Sequence, residues 1–226
     1  MKNQKHFTHA EKDWVLQDLR AETVGEGRVY NCPIGGLPSV TTVTGWKKRE
    51  FFAKWRKKNP KESVRVCKRG NILHETIEDY LNNKDIDLSS MPPIEVDLFM
   101  QILPKLNMID NIYELESPVW SQTMGIAGRV DCIAEYDGKL SVIDFKGSTR
   151  KKSVDHIQGY FMQATAYAIA FQELTGVEIT NFAILISSED GNMQVFQDKP
   201  KHYIKQLNHA IKEYRDAHKE TEQLFK

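Results

Sequence analysis

No run of about eighteen apolar residues occurs in this 226-residue sequence, which excludes a membrane-spanning helix. Cysteine is scarce: Cys32, Cys67 and Cys132 are odd in number, far apart and without a C-x-x-C pair. Neither a disulfide framework nor a zinc or iron–sulfur site is indicated, and a reducing cytoplasm is the natural setting. A targeting leader is also missing from the reading. The first fifteen residues carry Glu11 and Asp13 but no arginine or apolar stretch, against the pattern of transit and secretory peptides. Repeats and low-complexity segments are absent. Net charge is zero, with 31 Lys and Arg against 31 Asp and Glu.

What is present is an ordinary globular composition, 40% hydrophobic and 27% charged, long enough for one domain with a real core. The zero charge hides an uneven distribution. Between Lys47 and Gly70 stand eleven Lys and Arg against two acids, Glu50 and Glu62, so the remainder of the chain is acidic. That basic segment is either a solvated helical face or a surface for a polyanion.

Residues 1 to about 37 are punctuated by Gly25, Gly27, Gly35 and Gly36 and read as loop-like. Ser39 or Thr44 is placed to cap a short helix, FFAKWRKKN is a basic helix ending at Pro60, and Val66, Leu73, Ile77 and Leu81 follow helical spacing. PIEVDLFMQILPKLNM forms a further helix. The texture then turns to β: YELESPVW, IAGRVDCIAEY and KLSVIDFKGS, the last two joined by Asp137-Gly138, a strong two-residue hairpin signal. HIQGYFMQATAYAIAFQELTG is a helix stopped by Gly176. ITNFAILIS and NMQVFQ are strands around a turn, and 201–223 is an amphipathic helix. The order predicts an α/β (α+β) fold: a central mixed sheet flanked by helices. A helical N-terminal part (1–110), carrying the basic segment and His74, packs on a core (111–226) as one compact unit.

If Asp137-Gly138 is the hairpin loop, Tyr136 pairs with Lys139. Asp131 then lies opposite Asp144, and Arg129 opposite Lys146. Asp144 and Lys146 share a face by the period of two, while Ile143 and Phe145 point away. Opposed like charges need a compensating cation, either Lys146 and Arg129 themselves or a bound ion, and oxygen ligands suit Mg²⁺ or Mn²⁺. The competing reading is a salt-bridge cluster on a solvated face, which Val142 and Ile143 disfavour by suggesting a strand buried on both sides. Carboxylates holding such a metal polarise a phosphate and acidify bound water. A lysine two residues on positions that water or steadies charge on phosphorus, and Gly147 is expected to admit substrate backbone.

Gly128-Arg-Val-Asp131, Asp144-Phe-Lys146 and Gln163-x-x-x-Tyr167 together resemble the PD-(D/E)XK nuclease superfamily, in its RecB-type branch. VDCIAEYDGKLSVIDFKGS is similar to the core hairpin of the mitochondrial genome maintenance exonuclease family, and LPSVTTVTG and FFAKWRKK resemble its N-terminal part. The resemblance covers roughly residues 36 to 170. It departs from that family at Phe145 and Gly147 and in the missing targeting segment, which suggests a bacterial or phage relative acting in a cytoplasm.

The resemblance implies a restriction-endonuclease-like core. It implies His74, Asp131 and Asp144 as metal ligands, with the Phe145 main-chain carbonyl as a fourth, and Asp131, Asp144 and Lys146 as the catalytic set. Glu116, on the strand before the hairpin, is an additional candidate ligand, a surface role being equally open. Gln163 and Tyr167 are expected to face the site and DNA. Further candidate DNA contacts are Arg69, Arg129, Ser148, Arg150, Lys151, Lys54 and Lys57. Lys152 shares the loop of Arg150 and Lys151, which is otherwise simply solvated. Trp46, Phe51, Phe52 and Trp55 interleave the basic run; core packing is the reading for most, with stacking on bases for one or two. No iron–sulfur cluster is expected.

The function implied is a Mg²⁺- or Mn²⁺-dependent DNA exonuclease preferring single strands, in replication, repair or recombination and alongside the proteins of those processes. Three alternatives stand beside it: a duplex-specific 5′ exonuclease of a recombination system, a non-catalytic DNA-binding module, and a nuclease directed at RNA.

Overall fold

Residues 21–38 form strands where loops were expected: β1 (Ala21–Val24), β2 (Gly27–Cys32) and β3 (Gly35–Pro38) make a three-stranded antiparallel sheet. The computed structural model in which this is seen describes residues 5–25 and 27–222, so residue 223 of the expected terminal helix lies outside the described residues. The N-terminal part is thus not purely helical. Glycines disguise these strands, but β2 alternates: Tyr30 and Cys32 turn inward to pack with Leu19 against Ala127, with Leu37 and Trp120 closing the cluster.

Ser39 does cap α1 (Val40–Gly45), its Oγ accepting the Thr42 N–H at 3.0 Å, whereas Thr44 lies inside the helix. The basic stretch is α2 (Arg49–Lys58). Asn59 separates it from α3 (Pro60–Leu81), where Pro60 occupies the first turn and needs no N–H partner. Leu73, Ile77 and Leu81, four residues apart, bury one stripe of α3. Next come α4 (Pro93–Leu106) and the meander β4 (Ile109–Ser121), β5 (Ile126–Tyr136) and β6 (Lys139–Ser148). Then follow α5 (Gln158–Thr175), β7 (Asn181–Ser188), β8 (Met193–Asp198) and α6 (Ile204–Glu222). Gly176 ends α5 with φ of 77°, the left-handed cap that favours glycine.

The main sheet is five-stranded in the order β4-β5-β6-β7-β8, antiparallel throughout except for the parallel β6–β7 pair that α5 connects. It is therefore mixed and covered on both faces. Ile133, Val142 and Ile184 meet α1, α5 and α6, while Cys132, Ile143, Phe145 and Leu185 meet α3 and α4. Ser141 to Phe145 are all buried, as expected of a strand with helices on either side. Each fully buried aliphatic residue here contributes about 1.5–3 kcal/mol. Among the described residues no helix is long and apolar enough to cross a membrane.

Candidate active site

The hairpin that opens the site is built by its turn. Asp137 and Gly138 have φ of 51° and 71°, the left-handed pair a type I′ turn requires. The register then runs from Tyr136↔Lys139 to Cys132↔Ile143. One step beyond that last pair stand Asp131 and Asp144, and there a side chain takes over from the ladder: Asp131 Oδ2 accepts the Phe145 N–H at 2.8 Å. On the other side of β5, Glu116 falls between the pairs Leu115↔Cys132 and Ser117↔Val130, abreast of Asp131. Its φ of 44° is a left-handed conformation rare for a side-chain-bearing residue, the kind of strain that gathers at functional sites. Three adjacent strands thus present Glu116, Asp131 and Asp144 in a row, and α3 brings His74 over them.

His74 Nδ1 lies 3.7 Å from both Glu116 Oε1 and Asp131 Oδ2. Burial opposes its charged form, but the carboxylates of Asp131 and Glu116 outweigh that, and the imidazole is held above its ordinary pKa. Lys146 Nζ stands 2.6 Å from Asp144 and 3.9 Å from Asp131. Burial also works against the ammonium, yet Asp144 and then Asp131 keep it charged, with its pKa raised. Asp144 is almost wholly buried, and burial lifts its pKa to about 6 despite the opposing pull of Lys146. Lys146 donates to Asp144 Oδ1 at 2.6 Å and lies equally close to Oδ2, which accepts no hydrogen bond of its own.

These groups floor a cleft of about 460 Å³ that is also lined by Gln163 and Tyr167 of α5, one helical turn apart. Gln163 Nε2 donates to Thr44 Oγ1 at 3.3 Å. Tyr167 seats against Gly128, where a Cβ would fall 2.7 Å from the ring. His74, Glu116, Arg129, Asp131, Asp144, Lys146, Gln163 and Tyr167 therefore share one cavity.

The other candidates take the following places. Arg129 does not stand beside Lys146: its guanidinium binds the Glu116 carbonyl and reaches Asp18 at 3.1 Å. Arg69 is buried and ion-paired with Glu189, with further bonds to the Gly147 carbonyl and Thr149, so it is consumed in holding α3 to β6. Ser148 is buried too, donating to the Arg150 carbonyl at 2.7 Å and shaping the turn. Gly147 faces inward, where a Cβ would meet Leu73 at 3.2 Å, so its smallness serves helix packing. Arg150, Lys151, Lys54 and Lys57 are exposed, outside the cleft. Phe51 and Phe52 are exposed as well, whereas Trp46 packs on Tyr214 and under the Arg49 guanidinium.

Arg28, Tyr30, Glu78 and Tyr160 were missed by sequence reasoning. Glu78 lines the cleft one turn beyond His74 and Tyr160 touches Lys146, 5.4 Å from ring centroid to Nζ. Spacing offered a signal for both: His74 and Glu78 are i,i+4, and Tyr160 falls three residues before Gln163 and seven before Tyr167. Arg28 and Tyr30 sit on β2, which the glycines concealed.

The donor set fits a hard divalent cation. Ligand atoms of His74, Glu116 and Asp131 lie within 4.8 Å of one another. Asp144 Oδ2 is buried and accepts no hydrogen bond; the cation that offsets its desolvation is the Lys146 ammonium 2.6 Å away, and as a hard oxygen donor beside Asp131 it is of the type a divalent ion takes.

Residues 53–225 match the pattern of the PD-(D/E)XK nuclease superfamily. The human protein named mitochondrial genome maintenance exonuclease 1 is 29% identical over 178 residues, covering 69% of this chain and 50% of that protein. The protein of the same name from Xenopus tropicalis is 26% identical over 176 residues, covering 70% and 50%. The chain spans about half the length of these curated relatives. A solved structure from Eubacterium rectale shares 12% identity, with a TM-score of 0.47 over 65% of this chain and 63% of that one.

Proposed function

Because this chain belongs to the PD-(D/E)XK nuclease superfamily, we propose that it is a divalent-metal-dependent deoxyribonuclease that digests DNA from free ends and prefers single strands. The observation that carries this reading is the Lys146 ammonium between Asp144 at 2.6 Å and Asp131 at 3.9 Å, in a cleft where His74 and Glu116 complete a ligand set. The names of the curated relatives support the exonuclease class and a role in maintaining genomes.

His74, Asp131, Asp144 and the Phe145 carbonyl, with Glu116, would hold Mg²⁺ or Mn²⁺. Such a cation, when bound, polarises the scissile phosphate and acidifies a water ligand. Lys146 is charged at neutral pH, so it acts as a donor and not as a base: it orients the attacking water and stabilises charge growing on the phosphoryl oxygens. Its two carboxylate neighbours pin the ammonium in that position before substrate arrives. Gln163 and Tyr167 offer an amide and a phenol on one wall to orient the phosphodiester. Arg28 and Tyr30 line the cleft from the small sheet. Lining from β2, α3 and α5 around the ligand set supports the reading of a strand entering from its end.

The test is one gel carrying linear single-stranded DNA labelled at either end, circular single-stranded DNA, blunt duplex and linear RNA, each with Mg²⁺, Mn²⁺ or EDTA. Metal-dependent loss of linear single strands with circles spared supports the proposal, and the label gives polarity. Faster loss of duplex makes the protein a duplex exonuclease, and loss of RNA alone redirects the substrate class. No degradation in either metal leaves a binding module.

A further inference from the structure

We propose that a second groove, adjoining the cleft at Lys146, receives the unpaired bases of single-stranded nucleic acid by stacking them on aromatic rings of α2 and α5. The inference rests on the proposed function, since it names where that substrate's bases lie.

The groove measures about 450 Å³ and is lined by Phe51, Phe52, Trp55, Arg56, Lys152 and Tyr160. Phe51 and Phe52 are 65% and 45% exposed, with ring centroids 5.4 Å apart at an interplanar angle of 74°. Core packing does not account for them: neither is buried, and they sit on a helix whose other side chains are mostly basic. Adjacent exposed aromatics on a highly charged surface mark an interaction site.

Charge chooses the occupant. Between Lys47 and Lys58 seven residues are Lys or Arg and only Glu50 is acidic, and Lys54, Arg56, Lys57 and Lys58 are exposed. A polyanion is attracted there, whereas a neutral or basic protein surface is not. The aromatics then decide between polyanions. A duplex keeps its bases stacked on one another inside, while an unpaired strand offers π-faces to rings of any sequence preference. Continuity with the catalytic cleft completes the case. Tyr160 lies 5.4 Å from Lys146 Nζ and also lines the groove, as does Gly147, next in sequence to Lys146. A strand with one phosphate at Lys146 therefore has its neighbouring bases at Tyr160 and, farther out, at Trp55 and the phenylalanines.

Cys67 makes the groove readable without cleavage. It is exposed and lines the groove, while Cys32 and Cys132 are buried. The experiment uses the full chain in EDTA with a fluorescein-labelled oligothymidylate of about twelve nucleotides, and an abasic oligomer of equal length. Three results are expected. The oligothymidylate slows maleimide alkylation of Cys67 by about fivefold or more at saturation. The double variant Phe51→Ala, Phe52→Ala binds it about tenfold more weakly, the loss expected for stacking contacts. The abasic oligomer, which keeps the phosphates, binds the wild-type chain about tenfold more weakly and the double variant no more weakly still.

Unslowed alkylation, or equal binding of both oligomers to both proteins, overturns the groove. If the gel nevertheless shows metal-dependent digestion, the nuclease reading stands without it. Neither binding nor digestion of any substrate removes both. Protection of Cys67 that rises with protein concentration and ignores DNA overturns the proposal in favour of a second copy of the chain.

Discussion

Asp131 Oδ2 accepts the Phe145 main-chain N–H at 2.8 Å and, with the same oxygen, faces His74 Nδ1 at 3.7 Å and Lys146 Nζ at 3.9 Å. One carboxylate oxygen therefore joins two strands where their ladder has ended and addresses both a candidate ligand and the candidate catalytic lysine.

That double duty separates two substitutions. Asp131→Asn keeps an acceptor for Phe145 and should unfold within about 1 kcal/mol of wild type in urea. Asp131→Ala strands a buried N–H and should cost about 1–3 kcal/mol more. Both should lose cleavage. Equal midpoints for the two variants would show that the bridge does not support the strands.

Lys146→Ala should lower kcat by about a hundredfold to a thousandfold, the usual cost of removing one donor to transition-state charge, with DNA affinity little changed. Single-turnover cleavage and anisotropy measured side by side check this. A variant that cuts at the wild-type rate ends the assignment of Lys146.

Burial holds Asp144 near a pKa of about 6, above its ordinary 3.8. The folded, metal-free protein keeps this proton longer than the unfolded chain does. The group therefore favours folding below pH 3.8, and that advantage is lost as pH rises through about 6. A divalent ion needs the ionised carboxylate and competes with the proton. Mn²⁺ should thus raise Tm more at about pH 7.5 than at about pH 5. Thermal unfolding with Mn²⁺ against EDTA reads the difference, and Asp144→Asn should abolish it. The same Tm rise at both pH values would count against Asp144 as a ligand.

Arg69 should behave as a structural residue. Glu189 pairs with it and with Arg65. Burial alone would raise the Glu189 pKa, but bonds from Arg65 and Arg69 bring it below its ordinary 4.5. Its contribution is present above that value and is lost as pH falls below it. Glu189→Gln should destabilise the fold by about 1.5–3 kcal/mol at neutral pH and flatten the acid limb of stability, with an unchanged salt dependence of DNA binding. A reduced salt slope in an Arg69→Gln variant would return Arg69 to the phosphate contacts.

Gly128→Ala tests how Tyr167 is held. The added Cβ would lie 2.7 Å from a ring carbon that is itself buried and cannot swing clear. Overpacking of about 1–3 kcal/mol is expected, with loss of cleavage from displacement of the cleft wall. Wild-type stability and rate would show that the ring yields.

Asp137-Gly138, the alternation of VIDFK and the four-residue spacing of Leu73, Ile77 and Leu81 are local features, and each governs geometry within a few residues. From them alone followed the hairpin register, Asp131 abreast of Asp144, Lys146 on the same face, and the stripe by which α3 docks. Tertiary contacts decided what local rules do not reach. Gly25, Gly27, Gly35 and Gly36 give β1–β3 the composition of a loop, and the inward packing of Tyr30 and Cys32 on Ala127 makes them a sheet. Arg69 looks like a free polar group in the chain and becomes an internal fastening once Glu189, 120 residues on, comes near. Arg129, paired with Lys146 by extrapolating the ladder, turns away because β5 and β6 part after Cys132 and Ile143. Register and periodicity act through the backbone of neighbouring residues, whereas the partner of a polar side chain depends on segments a hundred residues away.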